Sequence, residues 1–402
     1  MLDGRIVGTI SNLAGDSNLF AFDDDYVADA NRPVLSQSFL DRNGHLMLTV
    51  PRTERQAPAF FANLLPEETN VMRALVAKQY GIADRARDFP FLDVLGEDLP
   101  GAVITTPIDV FGEAAIEAAT AAGPVDQGKR PFRFSLAGAQ VKLSASLIGK
   151  RLTIPVDGYG GSWIVKPATN DWPRLPENEF AVMSLAASIG LNVPDIRLEP
   201  IEDIVGFPRD LSRLRDDEPP LAYSIRRFDR GETGRTHGED YNQIAGVMPG
   251  SKYDVVTSEW LAQVTNELCS REDVDEFVRR LIFGVLVGNG DMHAKNWSVQ
   301  YPDGRNARLA PVYDFVCTRV YRDDTLALPV AERNRFAQID REAIASFARG
   351  AELPVGETLR TAEDVVERFR EAWRSLEPTL SDRKLAEAIE ANLADVPLAS
   401  GR

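Results

Sequence analysis

Hydrophobic and polar positions alternate at the start of the chain and then take on a helical spacing. Two segments, RIVGTI and NLFAFDDDYV, flank a cluster of Gly, Asn and Asp, and this pattern predicts a β-hairpin. Over positions 66–80, the residues Val71, Leu75 and Val76 fit one apolar helix face, and Gly81 supplies a stop signal. The opening of the chain therefore predicts a small mixed subdomain.

The composition then changes in a way that divides the chain into four parts. The expected N-terminal subdomain covers residues 1–107, and residues 108–131 are rich in Ala and Gly with scattered charges, as is typical of a linker. Residues 132–228 follow the order strand, glycine turn, strand, helix, and residues 229–402 are mostly helical. That order resembles a protein kinase. We predict an α+β, two-lobed protein-kinase-like fold with an additional N-terminal α/β subdomain and a mostly helical C-terminal lobe.

Two amphipathic helices are predicted near the end of the chain. Thr361 together with Asp364 approximates a capping box before the segment VVERFREAW. Ser381 is positioned to cap the segment KLAEAIEANL. Both helices are expected to be structural.

Composition and charge exclude several kinds of chemistry. The 402 residues carry a formal net charge of −16, which opposes direct nucleic-acid binding because DNA affinity depends largely on neutralising phosphates. Two cysteines and three histidines argue against a thiolate cluster or a polyhistidine zinc site. No apolar run approaches the roughly 18 residues of a membrane span, and the first residues lack a secretion signal, so the expected compartment is the cytoplasm. The chemistry is thus expected from carboxylates, amides and lysines.

One loop carries most of the candidate catalytic residues. Adjacent glycines at 288–290 are expected to end an apolar helix and display Asp291 on a loop. Asn296 follows five positions later, the separation found in protein kinases, where the aspartate accepts the substrate hydroxyl proton and the asparagine binds magnesium. His293 and Lys295 lie in the same loop and could approach the γ-phosphate or orient Asp291. The alternative is a packing histidine and a solvated lysine.

The segment that follows this loop predicts a metal site. WSVQY and ARLAP read as two short strands joined by the turn residues Pro-Asp-Gly-Arg at 302–305. Because a hairpin returns the chain to its open end, Asn296 and Asp314 are expected to lie close together. Magnesium prefers oxygen ligands and keeps waters and substrate phosphates, so one amide and one carboxylate suffice. The alternative is that these residues only shape turns.

A lysine and a glutamate upstream fit the phosphate-positioning pair of a kinase. In the segment GSWIVKPA, alternation places Trp163 and Val165 on one strand face and Lys166 on the other. Glu179 follows thirteen residues later in the first turn of a predicted helix. Kinases position the α- and β-phosphates with a strand lysine paired to a helix glutamate. A solvated lysine at a strand end is the alternative.

Two further segments complete the nucleotide site expected from the sequence. Ser135 to Lys142 form a small-residue turn whose backbone N–H groups could approach phosphate oxygens. The turn is not a Walker loop, because Val141 stands where a glycine should precede Lys142. A plain hairpin turn is the alternative. The extended segment Tyr223 to Phe228 is expected to be the hinge that holds adenine.

These motifs together resemble the HipA family of bacterial toxin kinases over nearly the whole chain. The segments that carry the resemblance are FFANLLPEETNVMRALVAKQYGI, LPGAVITTP, SLAGAQVKLS, ENEFAVMSLAASIGLNVPDIRL, RRFDR, NGDMHAKN and PVYDF. The resemblance implies ATP and magnesium as cofactors and Asp291, His293 and Lys295 as catalytic residues. It implies nucleotide contacts from Ala137, Gly138, Ala139, Gln140, Lys142, Lys166, Glu179, Arg226, Arg227, Phe228, His293 and Asn296.

The resemblance also implies partners and regulation. The expected substrate is a protein, typically an aminoacyl-tRNA synthetase such as glutamate–tRNA ligase, whose phosphorylation would arrest translation and growth. A HipB-like DNA-binding antitoxin is the expected partner, and it would link the kinase to operator DNA only indirectly. Self-inactivation by autophosphorylation is expected at Ser135. The sequence leaves dimerisation open.

The sequence departs from the family pattern at two positions, and it leaves two alternative functions open. Arg226 stands where a glutamate is common, and Met292 replaces a glycine seen in some members. One rival is a small-molecule kinase of the aminoglycoside phosphotransferase type, whose loops also carry G-D-x-H-x-x-N patterns. The other is a catalytically silent scaffold that binds the antitoxin.

Overall fold

The computed structural model describes most of the chain as an α+β protein. The described residues are 1–108, 140–155, 161–169, 171–208, 220–232, 234–253, 255–321 and 325–400. Ser135, Ala137, Gly138 and Ala139 lie outside them, as does nearly all of the predicted linker. The predicted α+β class is confirmed by the helices and strands described below.

The first hundred residues form the predicted hairpin and a set of short helices. Strands β1 (Gly8–Leu13) and β2 (Ser17–Phe22) pair antiparallel, and β3 (Thr53–Glu54) joins the edge of β2. The helices of this subdomain are α1 (Asp24–Ala28), α2 (Ala59–Asn63), α3 (Val71–Tyr80) and α4 (Phe89–Leu95).

Helix α3 differs from its prediction at its start and on its buried face. The Asn70 side chain accepts a hydrogen bond from the Met72 N–H and caps the helix, so the helix begins at Val71 rather than at 66. Val71 is 55% exposed, whereas Met72 and Val76 are buried. The predicted stop is confirmed, because Gly81 takes the left-handed conformation with φ 67°.

A five-stranded antiparallel sheet connects the N-terminal subdomain to the rest of the protein. Its order is β5 (Arg151–Thr153), β4 (Leu143–Ile148), β6 (Trp163–Pro167), β8 (Leu221–Arg226) and β7 (Ile196–Pro200). One sheet face, with Trp163 and Val165, belongs to the core of the first hundred residues, and the other face, with Tyr223 and Ile225, packs toward helix α5 (Leu175–Ser188). The first subdomain therefore shares its core with the sheet, and the predicted domain boundaries stay predictions.

A buried ion network ties the N-terminal subdomain to the segment after β8. The Arg227 guanidinium contacts Asp98 at 3.1 Å and Asp229 at 2.9 Å. Arg230 contacts the same two carboxylates at 2.8 and 2.9 Å. The four charges balance, which is what allows them to be buried together.

The C-terminal lobe is mostly helical, as predicted. It contains a three-stranded sheet of β11 (His237–Asp240), β12 (Ser298–Tyr301) and β13 (Arg308–Leu309), and two small hairpins, β9 (Arg230–Gly231) with β10 (Gly234–Arg235) and β14 (Thr325–Val330) with β15 (Arg333–Arg335). Its helices are α6 (Tyr241–Ile244), α7 (Ser258–Leu268), α8 (Arg271–Val287), α9 (Arg341–Gly350), α10 (Val355–Leu376), α11 (Arg383–Asp395) and α12 (Pro397–Ser400). Among the described residues no helix is long and apolar enough to cross a membrane.

Both predicted caps near the C-terminus are wrong. Helix α10 begins at Val355, so Thr361 lies inside it, and the Thr361 hydroxyl donates to Asp275 at 2.7 Å. Buried Leu359 and Ala362 show that the apolar face starts before the predicted cap, and packing overrides the local signal. Helix α11 is capped by Asp382 rather than Ser381, because the Asp382 carboxylate accepts from the backbone N–H groups of the first turn.

A buried histidine lies where the N-terminal subdomain meets the C-terminal lobe. One ring nitrogen of His237, Nε2, is 2.8 Å from the Leu35 carbonyl oxygen, and its ring stacks on Tyr301 at 5.7 Å between centroids. Burial lowers the pKa of His237 to about 4, so the folded protein holds it neutral. Nearby, Glu239 accepts from Ser36 and Tyr301, and burial raises its pKa to about 7.

We expect the stability cost of replacing His237 to shrink on acidification. Its folded-state pKa lies below the ordinary value of 6.5, so its contribution is present above pH 6.5 and is lost as pH falls toward 4. The loss amounts to about 3 kcal/mol at pH 4. The free energies of unfolding of the wild type and of His237→Asn, measured against pH, test this. Glu239, whose raised pKa changes stability with pH in the opposite sense, is present in both proteins, so its effect cancels in the difference between their unfolding free energies. The exposed His45→Asn is the control, and a cost of His237→Asn that is constant with pH would contradict the assignment.

Candidate active site

The candidate catalytic loop begins where helix α8 ends, as predicted. Gly288 takes the left-handed conformation with φ 75°, and the Asn289 N–H closes the cap on the Gly284 carbonyl oxygen at 2.8 Å. Gly290 must lack a side chain, because a Cβ atom there would lie 2.4 Å from the Thr325 carbonyl oxygen. The helix therefore stops sharply, and Asp291 follows on the loop.

Hydrogen bonds fold the loop tightly around Asp291. Its carbonyl oxygen accepts from the His293 N–H and from the Asn296 side-chain Nδ2, both at 2.8 Å. Its carboxylate oxygen Oδ1 accepts from the Tyr253 hydroxyl at 3.3 Å. Residues Ala294–Asn296 form a single 3-10 turn. The carboxylate is thus held by a hydroxyl from a different segment.

The predicted hairpin after the loop is confirmed. Strands β12 and β13 pair antiparallel, with Val299 opposite Leu309. Asp314 lies beyond the second strand in the left-handed conformation with φ 55°, which is uncommon for a residue that is not glycine. Such a conformation persists only where the surroundings hold it in place. Asn296 and Asp314 both line one cavity.

The Asp314 carboxylate is bound by two lysines. Its Oδ2 lies 2.9 Å from the Lys142 Nζ, and its Oδ1 contacts the Lys166 Nζ. Burial opposes its ionisation, but the two ammonium groups outweigh that effect and hold the pKa of Asp314 well below its usual range. The carboxylate stays charged and is already a site for cations.

Lys166 joins Asp314 to Glu179 in a fully buried cluster. The Lys166 Nζ lies 2.5 Å from the Glu179 Oε1, and both side chains are 2% exposed. Burial alone would lower the pKa of Lys166, but Asp314 and Glu179 raise it to about 12. Burial raises the pKa of Glu179 to about 7. Glu179 lies one turn further into helix α5 than predicted, because the helix begins at Leu175.

A single cavity brings together every predicted site residue that the structure describes. It has a volume of about 450 Å³. These residues line it from both lobes: Gln140, Lys142, Lys166, Glu179, Arg226, Arg227, Phe228, Asp291, His293, Lys295, Asn296 and Asp314. Segments that are far apart in sequence thus meet around one space large enough for a ligand.

Two loop residues reach the cavity as buried groups. The His293 Nδ1 and the Lys295 Nζ have no hydrogen-bond partner among the described residues. Burial lowers the pKa of His293 to about 3, with further contributions from Lys252 and Lys295, so the imidazole is neutral near pH 7. Burial also lowers the pKa of Lys295. Buried polar atoms without partners are expected to be satisfied by a ligand or by water.

The predicted hinge residues differ in how they face the cavity. Strand β8 ends at Arg226, whose guanidinium is half exposed and lies 3.4 Å from Asp195. The Arg227 guanidinium is held in the buried network with Asp98 and Asp229. Phe228 contacts Tyr313, with ring centroids 5.9 Å apart. The guanidinium of Arg227 is therefore already occupied by ion pairs within the protein.

Some residues that line the cavity were not predicted from the sequence. Tyr253 holds Asp291, and its ring meets the His293 ring edge to face at 5.2 Å. Lys252 and Glu67 also line the cavity and contact each other at 2.9 Å. The segment SKYD and the turn before α3 show no periodicity or spacing that marks them, so no local signal could have identified them.

The fold and the site define a two-lobed, kinase-like protein with an added N-terminal subdomain. A family model described as the HipA N-terminal domain matches residues 1–106, and one described as the HipA-like C-terminal domain matches residues 134–373. The chain therefore belongs to the HipA family of kinases, as the sequence motifs predicted, and kinases of this family imply the use of ATP.

Individual relatives agree with this assignment. Two Sinorhizobium fredii proteins named as kinases, Y4dM and Y4mE, are 39% and 31% identical to the chain, covering 99% and 98% of it and 96% and 94% of their own lengths. The serine/threonine-protein kinase toxin HipA of Shewanella oneidensis is 27% identical over 75% of this chain and 73% of its own. A solved structure of Shewanella oneidensis HipA with HipB and operator DNA has a TM-score of 0.71 at 22% identity, covering 100% of this chain and 95% of that one. This likeness confirms the predicted HipA-like fold.

Proposed function

We propose that this protein is an ATP-dependent serine/threonine protein kinase. The observation that carries the proposal is the meeting of Lys166, Glu179 and Asp314 in one buried cluster, on the same cavity as Asp291 and Asn296. A strand lysine paired with a helix glutamate positions the α- and β-phosphates in kinases. The loop aspartate and asparagine stand in the order and spacing of a kinase catalytic loop.

Asp291 is proposed to act as the proton acceptor. The oxygen of a substrate serine or threonine attacks the γ-phosphorus, the bond from that phosphorus to the β-phosphate oxygen breaks, and ADP leaves. The hydroxyl proton passes to the Asp291 carboxylate, which the Tyr253 hydroxyl holds in place. Lys295 is proposed to meet the transferred phosphate, and its burial without a hydrogen-bond partner among the described residues supports this role. Neutral His293 packs beside Tyr253 and orients the loop.

Asn296 and Asp314 are proposed to hold magnesium. The Asn296 Nδ2 donates to the Asp291 carbonyl oxygen, so its amide oxygen is the atom suited to ligate a cation. Asp314 stays ionised and already binds two cationic groups. One amide oxygen and one carboxylate match the donors that magnesium prefers beside phosphates. Held by these two residues, magnesium would supply positive charge that neutralises the charge developing on the phosphate during transfer.

The proposed partners and regulation follow from the family. The Shewanella oneidensis relative was solved with HipB and operator DNA. We propose that this chain likewise binds a HipB-like antitoxin and reaches operator DNA only through it, in agreement with its net charge of −16. The proposed substrate is an aminoacyl-tRNA synthetase such as glutamate–tRNA ligase, with self-inactivation through Ser135, which lies outside the described residues.

Incubation of the purified chain with labelled ATP and a bacterial lysate tests the function. We expect label in a protein serine or threonine, with mass spectrometry identifying both the target and any phosphate on Ser135. Label that appears only in a small molecule would contradict the protein kinase and favour a kinase of the aminoglycoside type. No transfer at all, despite nucleotide binding, would favour a silent scaffold.

A further inference from the structure

Glu67 lines the catalytic cavity although it belongs to the N-terminal subdomain. It lies on the turn between helices α2 and α3, and its carbonyl oxygen accepts from the Asn70 N–H at 2.9 Å. Buried Arg73 donates from Nη1 to the Pro66 carbonyl oxygen at 2.9 Å and binds Asp88 at 2.6 Å. The backbone that presents the Glu67 carboxylate is therefore fixed on both sides.

The Glu67 carboxylate faces two lysines of the C-terminal lobe. Its Oε1 lies 2.9 Å from the Lys252 Nζ and 4.0 Å from the Lys295 Nζ. The side chains of Glu67, Lys252 and Lys295 are only 19%, 10% and 5% exposed. At these exposures the charges interact far more strongly than on the surface. Lys295 comes from the catalytic loop itself, four residues after Asp291.

Glu67 lies between two like charges. One oxygen of its carboxylate is within 4.0 Å of the ammonium groups of both Lys252 and Lys295, and all three side chains line the same cavity. Two ammonium groups repel each other unless an opposite charge lies close to both. Loss of the Glu67 charge would therefore remove the contact that holds the two lysines together, and we expect them to move apart.

A separate set of hydrogen bonds already holds the segment that precedes Lys252. The Asn63 Nδ2 donates to the Val247 carbonyl oxygen at 2.8 Å. The Asn242 Nδ2 donates to the Asn63 Oδ1 at 3.0 Å and to Val247 at 2.9 Å. These amide contacts dock the N-terminal subdomain against this segment without Glu67. The Glu67 carboxylate is thus an additional, electrostatic contact rather than the docking contact.

We propose that Glu67 is a positioning residue that holds Lys252 and Lys295 in place beside Asp291. The N-terminal subdomain would then supply part of the phosphate-transfer site and would not be an appended module. The inference rests on the proposed kinase function and adds a residue from outside the kinase lobes to it. We expect Glu67 to act on the rate of transfer, because Lys295 is the residue proposed to meet the transferred phosphate, whereas the Lys166 cluster is built from other side chains.

Three variants of the full chain test the proposal: Glu67→Gln, Glu67→Asp and, as matched control, Glu68→Gln from the exposed neighbouring position. Apparent kcat and KM for ATP are measured from the transfer of labelled phosphate to lysate proteins, and ATP affinity is measured separately. We expect Glu67→Gln to lower kcat by about 10- to 100-fold, the range reached when a catalytic group is slightly misplaced. KM and ATP affinity should stay close to wild type, and Glu67→Asp should recover most of the rate.

The outcomes separate this inference from the function on which it rests. A kcat of Glu67→Gln equal to that of Glu68→Gln would overturn the role of Glu67 while leaving the kinase intact. Equal losses in Glu67→Gln and Glu67→Asp, together with lowered unfolding temperatures, would show a merely structural role and also overturn it. No transfer by the unmodified chain would contradict the proposed function, and the inference with it.

Discussion

Replacing Asp291 with asparagine is expected to lower phosphate transfer by about 100- to 10,000-fold, the contribution typical of a positioned general base. Asparagine keeps the size of the side chain and an oxygen that can accept from the Tyr253 hydroxyl, which lies 3.3 Å from Asp291. What it removes is the carboxylate that is proposed to take the substrate proton. The loss should therefore appear in kcat, with the folded structure unchanged.

ATP affinity should be retained in the same variant. Asp291 forms hydrogen bonds within its own loop and with Tyr253, whereas Lys142, Lys166 and Glu179 form the cluster around Asp314. Steady-state transfer rates and ATP titrations of Asp291→Asn and Asp291→Ala, with exposed Asp203→Asn as the matched control, provide the measurement. Transfer at the wild-type rate in Asp291→Asn would rule out Asp291 as the base, whichever family the chain belongs to.

Short-range geometry explains why the centre of the site could be predicted from the sequence. Gly288 and Gly290 end a helix for steric reasons that hold in any context, and they place Asp291 on a loop. The hairpin that follows spans few residues, so its turn alone brings Asn296 and Asp314 to one cavity. Alternation along strand β6 likewise predicted that Lys166 lies on the opposite face from Trp163 and Val165. In the structure Lys166 lines the cavity, and Trp163 and Val165 lie in the neighbouring core.

Contacts between distant segments could not be predicted in this way. Asp98 and Arg227 are 129 positions apart, and Glu67 and Lys252 are 185 positions apart. No periodicity or turn signal connects such pairs, because they meet only when the N-terminal subdomain packs on the sheet and the C-terminal lobe. The position of Glu67 at the cavity could therefore not be predicted from the sequence.

Local signals also failed where packing opposed them. Thr361 with Asp364 has the pattern of a helix start, but α10 begins at Val355, and buried Leu359 shows that its apolar face begins before Thr361. Burial of a leucine side chain outweighs a cap, which contributes only about 1 kcal/mol. A cap pattern therefore marks a helix start only when the apolar face begins at the same point.

Lys166→Met is expected to abolish phosphate transfer and to destabilise the fold by about 3 to 5 kcal/mol, the cost of removing one partner from a buried ion pair. Methionine approximates the apolar stem of the lysine side chain but leaves Glu179 and Asp314, among the described residues of the cluster, with only Lys142 to balance them. Glu179 is the carboxylate that most easily takes up a proton, since burial raises its pKa to about 7.

The destabilisation by Lys166→Met should therefore grow as pH rises. A carboxyl group whose folded-state pKa is raised contributes stability below its unfolded-state pKa and loses it steadily as pH rises from that value to the folded-state pKa, where the loss stops. Loss of Lys166 removes the positive charge that opposes the rise in the pKa of Glu179. Glu179 should therefore stay protonated to higher pH in this variant, and the loss of stability should continue to higher pH than in the wild type. Denaturant unfolding at pH 6 and pH 8 should show the larger loss at pH 8.

The double variant Lys166→Met with Glu179→Leu separates stability from chemistry. Replacing both members of a buried pair with apolar side chains of similar size is often neutral or stabilising, so the double variant should unfold less readily than Lys166→Met alone. Phosphate transfer should remain lost, because no lysine positions the α- and β-phosphates. A double variant as unstable as the single one would show that uncompensated charge is not the reason for the loss, and transfer restored in the double variant would exclude Lys166 from the phosphate site.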